Sequence, residues 1–203
     1  MRRLCFLVIC PMALWAQIVS FGVKGGVPVT NAFDTARTGS LGYLSDTKRY
    51  LIGGAFELRL PMGLGVEFDA LYKRLNYAST AESQTIATTA NSWEFPVLFK
   101  LRSTSPALRP FVTAGPSFRH LSGVRSFLSD PVGVQLGTTR PAELENEFSP
   151  GFTVGGGLEM GGRFRFVPEI RYTRWGSPSF RSVLVPGFSS SSNQLDFLLG
   201  IHF

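Results

Sequence analysis

Residues 193–203 read Asn-Gln-Leu-Asp-Phe-Leu-Leu-Gly-Ile-His-Phe. Leu195, Phe197, Leu199, Ile201 and Phe203 take alternate positions, and Gln194, Asp196, Gly200 and His202 take the others together with Leu198. A period of two is that of a β-strand with one apolar face. Working outward, the same pattern recurs. Trp93, Phe95, Val97, Phe99 and Leu101 alternate with Glu94, Pro96, Leu98, Lys100 and Arg102. Phe164, Phe166, Pro168, Ile170 and Tyr172 oppose Arg165, Val167, Glu169, Arg171 and Thr173. Ile52, Phe56, Leu58 and Leu60 oppose Ala55, Glu57 and Arg59, and Val66, Phe68, Ala70 and Tyr72 oppose Glu67, Asp69 and Lys73. Weaker segments are Val19 to Val27 (Phe21 and Val23 opposite Lys24), Phe152 to Met160, and Arg109 to Leu121 with Val112, Ala114, Pro116 and Phe118 as its apolar face. Eight strands result.

The connectors alternate in length. Residues 28–49, 78–91, 122–148 and 176–192 are long, whereas Pro61 to Leu64, residues 103–108 and Gly161 to Arg163 are short. Short turns at one end and long loops at the other are expected of a transmembrane barrel. A soluble up-and-down barrel has no reason to alternate in this way. Pro96, Pro116 and Pro168 fit badly, because each removes a ladder donor, and bulges or weak pairing are expected there.

Composition narrows the class. The 203 residues are 44% hydrophobic and 17% charged, which is too apolar for a disordered chain. Both cysteines, Cys5 and Cys10, fall in the first ten residues, so there is no disulfide framework. Residues 1–16 read as a cleaved secretory leader, with Arg2 and Arg3 before an apolar run and Ala16 before the cut. Residues 17–203 then form the barrel domain. Losing Arg2 and Arg3 lowers the net charge from +6 to +4, and the remaining bases are scattered among acids, so no nucleic-acid partner is expected.

The faces decide which solvent the barrel meets. A soluble barrel turns its apolar face inward around a ligand or core, and a membrane barrel turns it outward. The polar face carries Glu57, Arg59, Glu67, Asp69, Lys73, Glu94, Lys100, Arg102, Glu159, Glu169, Arg171 and Asp196. Either arrangement allows such a face. The tie is broken by Tyr50, Tyr72, Tyr77, Trp93, Tyr172 and Trp175, which collect at the long-loop end as an interfacial girdle would. Phe99, Phe164, Phe166 and Phe203 mark the other rim. The expected fold is an all-β, eight-stranded antiparallel up-and-down transmembrane β-barrel with both termini on the periplasmic side.

Phe21 to Val27, Pro110 to Phe118, Pro168 to Tyr172 and the ending Leu195 to Phe203 resemble bacterial outer-membrane β-barrel domain proteins. The resemblance implies a place in the outer membrane among its lipids. It also implies that Leu195, Phe197, Leu199, Ile201 and Phe203 are read by the barrel-assembly machinery. Family resemblance implies fold and address more readily than activity.

Three functional classes follow. The first is a structural or surface-interaction barrel with long polar loops, such as 79–92 and 189–192, open to an extracellular ligand. The second is a narrow solute channel along the charged lumen. In the third, His120 and Ser122 resemble the His-x-Ser of lipid A deacylases, with histidine as base and serine as nucleophile. The following Asn of that motif is Gly123 here, and the acids Asp130, Glu143 and Glu145 are loop residues. Gly115 to Arg119 misses the G-x-S-x-G elbow, and Gly155 to Gly157 lacks a phosphate-loop lysine. With only His120 and His202 and no mature cysteine, neither a metal nor a cofactor is expected. The structural, non-enzymatic reading is preferred.

Overall fold

The structure, a computed structural model, describes residues 18–34, 37–38, 41–45, 49–81, 84–105, 108–129, 135–138, 141, 143–162, 164–181 and 188–203. The expected leader and both cysteines lie outside these. Eight antiparallel strands make the wall: β1 (Val19–Pro28), β2 (Leu51–Arg59), β3 (Leu64–Ala81), β4 (Gln84–Arg102), β5 (Leu108–Ser129), β6 (Phe148–Gly161), β7 (Arg165–Trp175) and β8 (Asn193–His202). Each pairs with its neighbours in sequence, and β8 pairs with β1 from Gly22↔His202 to Pro28↔Asp196, which closes the barrel.

The alternation in sequence becomes an inside-out distribution of polarity. Phe21, Phe99, Val112, Phe152, Ile170 and Phe197 are exposed on the outer wall. Lys24, Glu57, Glu67, Lys100, Glu169 and Arg171 are each at most 2% exposed, in the lumen. A wall with apolar side chains outside and ions inside is stable only in an apolar solvent, and closure leaves no unpaired sheet edge to face that solvent. On β4 the outward apolar set runs from Trp93 to Leu101, the strand length that spans a bilayer.

Two features depart from the sequence reading. The segments 78–91 and 122–148 are not simply loops. β3 and β4 stay paired from Lys73↔Ser92 to Ala81↔Gln84, and β5 continues to Ser129. Leu41–Ser45 pairs with Tyr77–Ala81, and Gln135–Thr138 with Ser126–Ser129, so a sheet projects beyond the girdle. Outside lipid the outward positions become mostly Arg, Asn, Thr, Ser and Ala, so hydropathy stops marking the strand although the ladder continues.

The prolines interrupt pairing without shifting register. Pairs are missing opposite Pro96 on β3, opposite Pro116 on β4 and opposite Pro168 on β6, and register is unchanged on either side of each gap. Among the described residues the one register shift lies between Thr89 and Asn91, opposite Gly123, whose φ of 59° absorbs the extra residue.

Glycine permits close approach beside Pro168. A Cβ on Gly157 would lie 2.2 Å from the Pro168 carbonyl oxygen, whereas one on Gly162, in the next turn, meets nothing. Gly157→Val should therefore reduce the heat-modifiable, compact fraction on unboiled gels, and Gly162→Val should leave it unchanged. Equal behaviour of the two variants would refute this account of the wall.

Candidate functional site: the charged lumen and its stopper

An eight-stranded barrel is just wide enough for side chains to fill it. All twelve charged residues of the polar face project into this one, with Arg59 and Arg102 partly exposed at the short-turn end and the other ten buried. They form two layers.

In the layer nearer the short turns, Lys24 on β1 reaches across to three carboxylates. Its Nζ lies 2.5 Å from Glu67 Oε1, 3.1 Å from Asp69 Oδ2 and 3.1 Å from Glu169 Oε2. Arg171 engages the same three acids at 3.2, 2.8 and 2.9 Å. Lys100 bridges Glu67 at 3.1 Å and Glu159 at 2.9 Å, and Arg102 pairs with Glu57. Arg59 completes this end beside Glu57 at 3.8 Å.

The second layer lies toward the long loops. Lys73 Nζ is 2.5 Å from Glu94 Oε1 and donates to Gln194 Oε1 at 2.7 Å. Gln194 Nε2 donates to Glu94 Oε2 at 3.0 Å and to Asp196 Oδ2 at 2.7 Å. Arg119 lies over the Trp175 ring, 4.2 Å from its centroid, and Trp175 Nε1 donates to Gln194 Oε1 at 3.1 Å. Ser117, Thr153 and Thr173 link hydroxyls around the wall at 2.6 and 2.7 Å.

Sequence reading left Lys24, Arg119, Arg165, Gln194 and His202 out of the lumen set, although all five are buried there. Their signal was strand parity: each shares its phase with charged or polar residues of the same strand. Lys24 was hidden by a weak strand with glycines at Gly22, Gly25 and Gly26.

The girdle needs correction on the same ground. Tyr50, Tyr72, Trp93 and Tyr172 lie along the outer wall. The Tyr50 and Tyr72 rings are 6.4 Å apart, and those of Tyr72 and Trp93 are 5.2 Å apart. Tyr72 and Tyr172 donate hydrogen bonds to Asn91 at 2.9 Å and to Asn193 at 2.7 Å. Tyr77 and Trp175, five and three residues beyond Tyr72 and Tyr172, have the opposite parity and are buried inside.

Tyr77 belongs to a stopper that the sequence reading missed. Phe33 from the first long connector and Phe180 and Phe188 from the last pack with it, their ring centroids 5.2 to 5.8 Å apart and none more than 3% exposed. Leu75, Ala90, Leu121 and Val124 complete this apolar cluster. Phe33–Asp34 pairs with Ser189–Ser190, which ties the two connectors across the mouth. The available sequence signal was the presence of large aromatics within otherwise polar connectors, Phe33 in the first and Phe180 and Phe188 in the last.

His120 faces outward opposite Trp93 and Phe148, and Ser122 follows on the same face at the start of the bulge. Among the described residues no carboxylate is hydrogen-bonded to His120, and Asp130 lies outside them. The C-terminal residues Leu195, Phe197, Leu199, Ile201 and Phe203 form an outward stripe, with the Phe203 and Phe164 rings 5.6 Å apart.

Removing one base from the first layer leaves buried carboxylates undercompensated. Lys24→Met should cost about 3–5 kcal/mol in urea unfolding from lipid vesicles. Replacing Lys24 and Glu67 together, with Met and Gln, should cost less than the two single changes combined. Additive costs would mean that the ions act independently.

The sequence matches the outer membrane protein beta-barrel domain family over residues 15–176. No curated protein matches it. Among solved structures, the outer membrane protein OprG from Pseudomonas aeruginosa superposes with a TM-score of 0.55 at 12% identity, covering 92% of this chain and 94% of that one. Neisserial surface protein A (NspA) gives 0.43 at 11% identity, over 91% and 95% of the two chains. Ail of Yersinia pestis, in complex with the heparin analogue sucrose octasulfate, gives 0.42 at 10% identity, over 92% and 99%. OprG shares the fold. With a closed barrel, an apolar wall and a family match over most of its length, the chain belongs to the outer membrane protein beta-barrel domain family and its place is the outer membrane.

Proposed function

We propose that this protein is a closed, non-enzymatic outer-membrane barrel that works through its outer surface, where its long connectors meet the extracellular medium. One observation carries the reading: the lumen is occupied by two layers of mutually paired ions and stoppered by Phe33, Tyr77, Phe180 and Phe188. A solute entering from the long-loop end would have to displace an apolar cluster and then separate buried ion pairs, each step costing several kcal/mol. The filled lumen instead makes a rigid pedestal for the sheet and connectors that project from it. An extracellular ligand bound by those connectors is the partner this arrangement suits. Lipid A deacylation is not supported, because His120 has no orienting acid among the described residues.

The orientation has short turns on the periplasmic side and long connectors outside, as is usual for such barrels. Residues 1–16 serve as the cleaved leader, and the outward stripe ending at Phe203 serves the barrel-assembly machinery.

Purified protein in a planar bilayer should stay electrically silent at all applied voltages; steady single-channel steps from the folded barrel would overturn the closed reading. The mature chain has no cysteine once residues 1–16 are removed, so orientation is open to labelling. On intact cells an impermeant maleimide should label Thr138→Cys, and should label Gly162→Cys only after the outer membrane is permeabilised. The reverse pattern would invert the assignment.

A further inference from the structure

The charges outside the barrel are organised as tightly as those inside it. Among the described residues of the eight strands, every carboxylate points inward. The outward faces carry three formal charges, Arg74, Arg125 and Arg174, all exposed arginines. Each lies just past the aromatic row. Arg74 follows Tyr72 by two residues on β3, Arg174 follows Tyr172 by two on β7, and Arg125 follows the Trp93↔His120 pair on β5. None of the three makes an ion pair among the described residues, whereas the buried lumen acids and bases are interlocked.

Two of these arginines share a patch. Arg74 is opposite Asn91, Asn91 is opposite Ser122, and Thr89 is opposite Arg125. The Gly123 bulge sets Arg125 opposite Thr89 instead of Thr88, one position nearer the girdle than in an unbroken strand, and turns it from the lumen phase to the outer face. The result is two guanidinium groups around a field of neutral amide and hydroxyl groups, with apolar wall directly beneath them. The described acids at this end, Asp34, Glu143, Glu145 and Glu147, belong to the connectors.

We infer that this patch binds the phosphorylated headgroup of an outer-leaflet glycolipid, with Arg74 and Arg125 pairing its phosphates and the apolar wall below Trp93 taking its acyl chains. Arg174 provides a second, single-arginine contact on another side of the wall. Guanidinium groups suit phosphate oxygens because they present paired donors in a plane and remain charged. The aromatic row fixes their depth at the level where headgroups begin. A water-facing solubilising role would not explain why carboxylates are missing from the same face. Facing the outer leaflet rests on the orientation proposed above. The lipid measurement below, made in detergent, does not, so the two can fail separately.

The test is native mass spectrometry of the full barrel in detergent, incubated with bisphosphorylated lipid A, with its dephosphorylated form, or with the former plus millimolar inorganic phosphate. Each arginine near such a surface contributes roughly a five-fold preference, corresponding to about 1 kcal/mol. Wild type should therefore retain the bisphosphorylated lipid on the order of 25-fold more than R74Q/R125Q, and on the order of five-fold more than R174Q. R181Q, at a loop arginine 3.5 Å from Glu145, should bind as wild type does. Heat-shifted migration confirms that each variant is folded, and single R74Q and R125Q variants carry the same test if the double variant does not fold. Equal retention by folded variants, equal retention of dephosphorylated lipid A, or full displacement by inorganic phosphate would overturn the inference.

Discussion

The structure depends on closing the hydrogen-bond ladder between β1 and β8. Eight strands in an apolar solvent must leave no free edge, because an unpaired N–H or carbonyl there has no water to bind. The pairing of Gly22 to Pro28 with His202 to Asp196 meets that demand and fixes the circumference. Once the circumference is fixed, the lumen is narrow, and the side chains that point into it must satisfy one another. Lys24 on β1 can meet Glu67 and Asp69 on β3 and Glu169 on β7 only because closure brings those strands around it.

The closed wall also explains why buried ions are tolerated in such number. In a water-soluble domain, an isolated charge at 2% exposure carries a desolvation cost that few contacts offset. Here each acid of the layer nearer the short turns is met by more than one base, and the bases come from opposite sides of the lumen. The network ties together strands far apart in sequence. Toward the long connectors the filling changes from ions to hydroxyls and then to aromatic rings. This order follows the solvent: where the wall rises past the bilayer, the interior becomes an ordinary apolar core under loops.

Charge on the outer wall is governed by the same solvent boundary. Below Tyr72, Trp93 and Tyr172 no formal charge points outward from the eight strands among the described residues; above them the outward charges on the strands are all arginine, and the acids sit in the connectors. The barrel thus presents lipid with an apolar belt, an aromatic row and then cations. That sequence of surfaces follows the change of solvent along the wall, from apolar to interfacial to aqueous.

The amino-acid sequence by itself determined the number of strands, their register phase and which face of each is apolar, because a two-residue period is a local property. It also determined the lumen acids and most bases, which follow by parity from Glu67, Asp69, Glu94 or Glu169. Parity applied strictly would have placed Tyr77 and Trp175 inside as well, since each lies an odd number of residues past a girdle tyrosine. Only the tertiary structure decided where β3, β4 and β5 end, because hydropathy alternation fades where water replaces lipid while pairing persists. It alone decided that Phe33, Phe180 and Phe188, from connectors some 150 residues apart, meet over the mouth. Local pattern carries no information about which loops fold across a closed ring, and that arrangement is what places an apolar cluster over a charged lumen.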